Sequence, residues 1–179
     1  MGVNLVALLW GFAEATVFFI VPDVWLTYAG RTRLRTGLVA CLFALCGALT
    51  GGVLMYWWGS ESASSALEVL EMLPGINPSM VERVAEELTD SGPFALFYGP
   101  VTGTPYKLYA VQASGAEVSA MTFVLVSIPA RLARFILITV AAHYALTALA
   151  RRWPRVNRAA LLLCAWTAFY AWYFSHNMA

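Results

Sequence analysis

Five ionisable side chains stand inside apolar stretches of this sequence: Glu14, Asp23, Lys107, Arg131 and Arg134. A charge at the centre of a membrane helix costs about 2.5–3.5 kcal/mol on insertion scales, so such residues turn to a protein interior or a water-filled cavity. Arg131 and Arg134 are three apart, share one helix face and follow Pro129. Lys107 stands two residues after Pro105, and Tyr98, Thr102, Thr104, Tyr106 and Tyr109 place hydroxyls around it. Guanidinium forks, an ammonium, hydroxyl donors and free backbone N–H groups together suit a phosphate, with Lys107, Arg131, Arg134, Thr104 and Tyr106 as its ligands. Two acids against three bases leave one positive charge over. A buried carboxylate can also take up and release a proton. Glu14 fits that role better than Asp23, which follows Pro22 and can cap broken backbone. The plainer alternative is that the five charges pair with one another and fix helix packing.

Something must carry these residues, and composition says what. The chain of 179 residues is 60% hydrophobic and only 12% charged, with a mean hydropathy of +0.69. Soluble domains carry about 25% charged residues. Its natural solvent is therefore a bilayer, and a net charge of +1 excludes a nucleic-acid footprint. Cys41, Cys46 and Cys164 sit in apolar spans without CxxC spacing and read as small buried hydrophobes. No metal or cofactor constellation is visible, and no nucleophile and base stand at a recognisable spacing, so an enzyme is disfavoured. The N-terminus lacks a basic start and carries Glu14 in its apolar run, which argues against a secretory signal.

A single membrane domain over residues 1–179 divides into six parts. Residues 3–30 form an apolar hairpin broken at Pro22-Asp23. Residues 36–58 form an uncharged transmembrane helix in which Gly47 and Gly51 let another helix approach, within the chain or between two copies of a homo-oligomer. Tyr56, Trp57 and Trp58 end it as an interfacial belt. Residues 60–91 hold seven acids (Glu61, Glu68, Glu71, Glu82, Glu86, Glu87 and Asp90) and Arg83, which predicts an amphipathic surface segment. Its second helix starts with Asn77 as N-cap and Pro78 as first residue, lines Val81, Val84, Ala85 and Leu88 on one face, and stops at Gly92. Residues 92–115 form a second hairpin, broken by Gly99, Pro100, Gly103 and Pro105. Residues 117–150 form a transmembrane helix kinked at Pro129, and residues 158–175 form a last one.

Arginines set the orientation. Arg31, Arg33 and Arg35 precede the second tract, and Arg151, Arg152, Arg155 and Arg158 precede the last. The positive-inside rule puts both clusters in the cytoplasm and the acidic segment outside. Residues 92–115 then begin and end outside, and residues 3–30 begin and end inside with a cytoplasmic N-terminus. The expected fold is all-α integral membrane: two oppositely oriented re-entrant hairpins plus about three transmembrane helices, in an inverted repeat.

Several of these segments carry a family likeness. Tyr98-Gly-Pro-Val-Thr-Gly-Thr-Pro-Tyr-Lys-Leu-Tyr109 resembles the TP-x-P-Y-K hairpin of the YqaA-like branch of the DedA family, also called the VTT or SNARE-associated family. Ser127-Ile-Pro-Ala-Arg-Leu-Ala-Arg-Phe135 resembles its S-x-x-G-R-x-x-R-F segment, with Pro129-Ala130 in place of the usual small pair. Gly47 to Gly59 is similar to its G-x-x-x-G-x-x-x-x-Y-x-x-G stretch, and Glu14 with Pro22-Asp23 is similar to its first hairpin. The likeness covers about residues 3–140. It implies a multi-pass protein of the cell membrane that moves an anionic lipid between leaflets, a polyprenyl phosphate such as undecaprenyl phosphate or a phospholipid, coupled to proton motive force. It also implies Glu14 and Asp23 as the acidic members of the site and Lys107, Arg131 and Arg134 as the basic ones. Two other classes compete: a proton-coupled antiporter of small ions or metabolites, and a non-transporting membrane scaffold whose acidic segment binds a partner.

Overall fold

The secondary structure follows from where helix formers run and where Pro and Gly interrupt them. The computed structural model describes residues 2–177, without the side chains at 100, 101, 176 and 177. Pro100, part of the expected second break, therefore lies outside the described side chains. Every regular element among the described residues is helical.

Helix α1 spans Gly2–Thr16, and α2 spans Asp23–Gly30 after a break at 17–22 that contains Pro22. Trp10 Nε1 donates to the Ile20 carbonyl at 2.9 Å and pins that break. The chain then turns back, because Trp25 Nε1 of α2 donates to the Val3 carbonyl near the start of α1, at 3.0 Å.

Helix α3 spans Leu34–Glu71, with extended backbone at Ser62 (φ −158°) marking a kink. The helix expected to end at Trp58 runs on to the kink at Ser62, and a second helical stretch continues from there to Glu71, with no Pro or Gly before Pro74-Gly75. The apolar face of residues 60–91 packs on the rest of the chain. Ala66, Leu70, Met80, Val84 and Leu88 join the main apolar core. Helix α4 spans Pro78–Ser91, and Asn77 caps it by accepting from the Met80 N–H. Its buried face is Met80, Val84 and Leu88. Ala85, expected on that face, is exposed, because the i, i+4, i+8 row begins one residue earlier than Val81.

A 3-10 helix at Gly92–Phe97 leads to the short α5, Gly99–Thr102, and then to α6, Tyr106–Gln112. Gly103 between α5 and α6 takes the left-handed conformation (φ 79°). Helix α7 spans Ala120–Arg152 and includes Pro129 without interruption. Helix α8 spans Arg158–Asn177.

Helix α3 is the central post. A Cβ on Gly47 would lie 1.9 Å from the Leu8 carbonyl oxygen, and one on Gly59 would lie 2.0 Å from that of Val111. Only glycine admits backbone so close. The Gly47–Gly51 face is therefore filled within the chain, by α1, while α6 covers the farther half of the same helix. Both run in the direction of α3. Helix α7 runs the other way: Tyr56 of α3 bonds the Val118 carbonyl before α7, and Cys41 meets Thr139 near its far end. Arg158 Nη1 donates to the Arg31 carbonyl at 3.0 Å, which brings the two arginine clusters to one end of the molecule.

Two helices, α3 and α7, are long and apolar enough to cross a membrane. These are the two found among the described residues; the third expected span corresponds to α8, a helix of 20 residues rich in Trp and Tyr.

Candidate functional site

Helix α7 presents one buried stripe at four-residue spacing, Ser127, Arg131, Phe135 and Thr139. The first two broken helices deliver acids to it. Glu14 lies in the last turn of α1 and Asp23 opens α2. Arg131 Nη2 donates to Glu14 Oε2 in a close ion pair. One turn on, Arg134 places Nη2 at 2.9 Å and Nε at 3.0 Å from a single oxygen, Asp23 Oδ2. Asp23 Oδ1 and Arg131 Nε are buried and have no hydrogen-bond partner. The Arg131 guanidinium sits 4.6 Å from the Tyr106 ring centre and 4.9 Å from that of Phe135. Cation–π attraction adds to the ion pair when the cation is desolvated.

Lys107 arrives from the second broken segment. Its ammonium donates to the Phe18 carbonyl, just past the end of α1, at 2.6 Å. The helix end carries free carbonyls and the negative pole of its dipole, so a cation is favourable there. The fifth charge of the cluster is thus matched by a carbonyl rather than by a carboxylate, and the surplus of +1 read from the sequence resides on it.

The five charged residues, from four separate segments, come together in the interior. Asp23 is 0%, Lys107 1%, Glu14 4% and Arg131 4% exposed, while the Arg134 side chain at 20% is the most open. The hydroxyls expected to join them face other partners. Tyr106 donates to Ser127 Oγ at 2.9 Å and stacks on Phe123 at 5.7 Å. Thr104 pairs with Thr102 at 2.9 Å, Tyr98 pairs with Ser91, and Tyr109 donates to Glu87. Tyr106 therefore packs beside Arg131 with its hydroxyl already engaged, and Thr104 belongs to a separate hydroxyl group near the start of α6.

Sequence reasoning overlooked three contributors. Ser127 and Phe135 stand four residues to either side of Arg131, and that spacing was a usable signal. Tyr170 of α8 was not findable this way. Its hydroxyl accepts from the Val21 N–H at 2.8 Å, 149 residues away in sequence.

No group of His, Cys, Asp and Glu among the described residues is placed to hold a metal ion. All three thiols are free; Cys41 is buried as expected, but Cys46 and Cys164 are exposed on the outer faces of their helices. His143 Nδ1 bonds the Gly30 carbonyl at 2.7 Å and ties α7 to α2. The arrangement can hold an anion or exchange a proton, provided an ion pair opens. No protein-family model, no curated protein and no solved structure matches this chain.

Proposed function

We propose that the chain is an integral protein of the cell membrane that moves an anionic lipid between leaflets, a polyprenyl phosphate such as undecaprenyl phosphate, with proton coupling. The observation that carries this reading is the enclosed cluster of five charged residues where two broken helices meet the stripe of α7. Intramembrane charge of this kind marks substrate and proton pathways. Large apolar side chains on the outer faces of α3 and α7, among them Leu42, Leu54, Leu125 and Leu137, are about half or more exposed, as lipid-facing residues would be. In this reading the two broken segments are re-entrant hairpins entering from opposite faces, the halves form an inverted repeat, and the arginine end with the N-terminus is cytoplasmic.

The chemistry follows from the pairing. A lipid phosphate must displace Glu14 from Arg131 or Asp23 from Arg134 to reach a guanidinium fork. Proton uptake by Glu14 removes the charge that holds Arg131 and frees it for the phosphate. Loss of that proton restores the pair and expels the anion. Lys107 supplies charge that no carboxylate cancels.

The test is a leaflet-accessibility assay for undecaprenyl phosphate in liposomes, with and without a pH gradient. Movement that depends on wild-type protein and on the gradient, and disappears in Arg131→Ala and Lys107→Ala proteins that still insert, is expected. Undiminished movement in both variants would remove the site from the path, and none in the wild type would refute this substrate.

A second reading, the scaffold, draws on the same geometry, because each acid already faces an arginine. Exchanging the pair, Glu14→Arg with Arg131→Glu, separates the two. A scaffold retains its partner binding, whereas a proton-coupled carrier stops.

A further inference from the structure

Helix α8 is attached to the molecule differently from its neighbours. Of its described side chains only Leu162 is buried. Its ties are mostly polar and aromatic; most climb the side of the first broken segment, and one reaches Gly75 between α3 and α4. Trp166 Nε1 donates to Thr27 Oγ1 at 3.0 Å, and Tyr170 accepts from the Val21 N–H at 2.8 Å. The Phe174 ring meets Phe19 at 5.6 Å, and Tyr173 donates to the Gly75 carbonyl at 3.2 Å.

The place it covers matters. Val21 is two residues from Asp23, in the break, where its N–H has no helical acceptor. Helix α8 packs against α2, the helix that Asp23 opens. Arg134 is the most open charge of the cluster. In a bilayer, lipid tails replace apolar contacts between helices at little loss, so a helix without a buried seam depends on its hydrogen bonds to stay docked. Segments with few buried contacts open locally before the rest of a structure does.

We infer that α8 is a lateral gate over the Asp23–Arg134 pair, held shut by Tyr170 on the Val21 N–H and Trp166 on Thr27. Resting on the lipid-carrier reading, it names the entrance: outward movement of α8 frees the Val21 N–H and opens the way to the Asp23–Arg134 pair, on the side from which a lipid phosphate arrives. Tyr170 and Trp166 are positioning residues, not ligands.

The gate is tested without any transport assay. In a chain with Cys46→Ser and Cys164→Ser, Thr27→Cys places a thiol beneath Trp166 at a position 2% exposed, while Cys41, 0% exposed between α3 and α7, remains as an internal reference. N-ethylmaleimide is added to the protein in phosphatidylcholine vesicles, and both sites are followed by mass spectrometry. The Thr27→Cys thiol is expected to react at least about tenfold faster than Cys41, as local opening predicts. Thr27→Cys itself removes the oxygen that Trp166 bonds, so Tyr170→Phe tests the remaining tie: it should speed the reaction by about fivefold, the effect of one lost hydrogen bond, without changing Cys41. Equal rates at the two thiols, or a rate indifferent to Tyr170→Phe, would overturn the gate. Vesicles containing undecaprenyl phosphate should alter the rate at the Thr27→Cys thiol relative to phosphatidylcholine alone. A gate that opens but ignores this lipid leaves α8 as proposed and removes the lipid-phosphate reading instead.

Discussion

The two broken segments of this protein lean on the same helix in the same direction, yet they are held by different forces. The first, α1 and α2, contributes two carboxylates, and each meets an arginine of α7. The second, from the 3-10 helix through α6, is held by hydroxyls and rings: Tyr106 on Ser127 and Phe123, Thr104 on Thr102, Tyr109 on Glu87. Its one charge, Lys107, reaches across to the backbone of the first. Similar backbone breaks thus do unlike work. One side is locked by buried ion pairs, and the other is a frame that aims a cation at the lock.

The comparison is broken most directly at Glu14 and Arg131. Removing one partner of a buried ion pair typically costs about 3–5 kcal/mol, because a desolvated charge is left uncompensated. Arg131→Met alone should therefore lower the unfolding midpoint in detergent strongly. Glu14→Gln combined with Arg131→Met should recover most of that loss. Additive losses in a double-mutant cycle would mean that charge does not lock the first segment.

Part of this design was legible in the sequence. Charges in apolar tracts demand partners, so all five cluster members were identifiable from composition and position. The Asn77-Pro78 start of α4 is local chemistry and read correctly. Pairings were not legible: Glu14 and Arg131 are 117 residues apart, and nothing local says which acid meets which arginine. The stretch after Trp58 was not legible: Gly59 is a usual stop signal, yet here it stays helical against the Val111 carbonyl of α6, and the backbone leaves helical geometry only at Ser62. The hydroxyls around Lys107 were counted as its neighbours because they are close in sequence. Helical geometry sends them to different faces, so Tyr106 and Tyr109 find Ser127 and Glu87 instead.

Glycine contacts offer a second, smaller perturbation that treats the two segments separately. Gly47→Val pushes a side chain into the backbone of α1, and Gly59→Val does the same to α6. Overpacking of this kind costs about 1–3 kcal/mol. Hydrogen exchange should rise in α1 and α2 for the first variant and in α6 and α4 for the second. Gly47→Val should also carry Glu14 away from Arg131 and impair lipid movement more than Gly59→Val does. The reverse ranking would place the lock on the second segment.

The smallest expected effect sharpens the contrast most. Tyr109 donates to Glu87 at 2.5 Å and ties α6 to α4. Tyr109→Phe removes that bond while keeping the ring. Glu87 is only half-buried, so its carboxylate turns to water once the phenol is gone, and the loss stays near about 1 kcal/mol rather than the larger figure for a stranded buried charge. The effect should be confined to Pro78–Ser91, seen as faster amide exchange in α4 with exchange in α1 and α2 unchanged. If Tyr109→Phe instead loosened α1 and α2 as much as Arg131→Met does, the hydroxyl frame and the charge lock would be one cooperative unit, and the division between the two segments would fail.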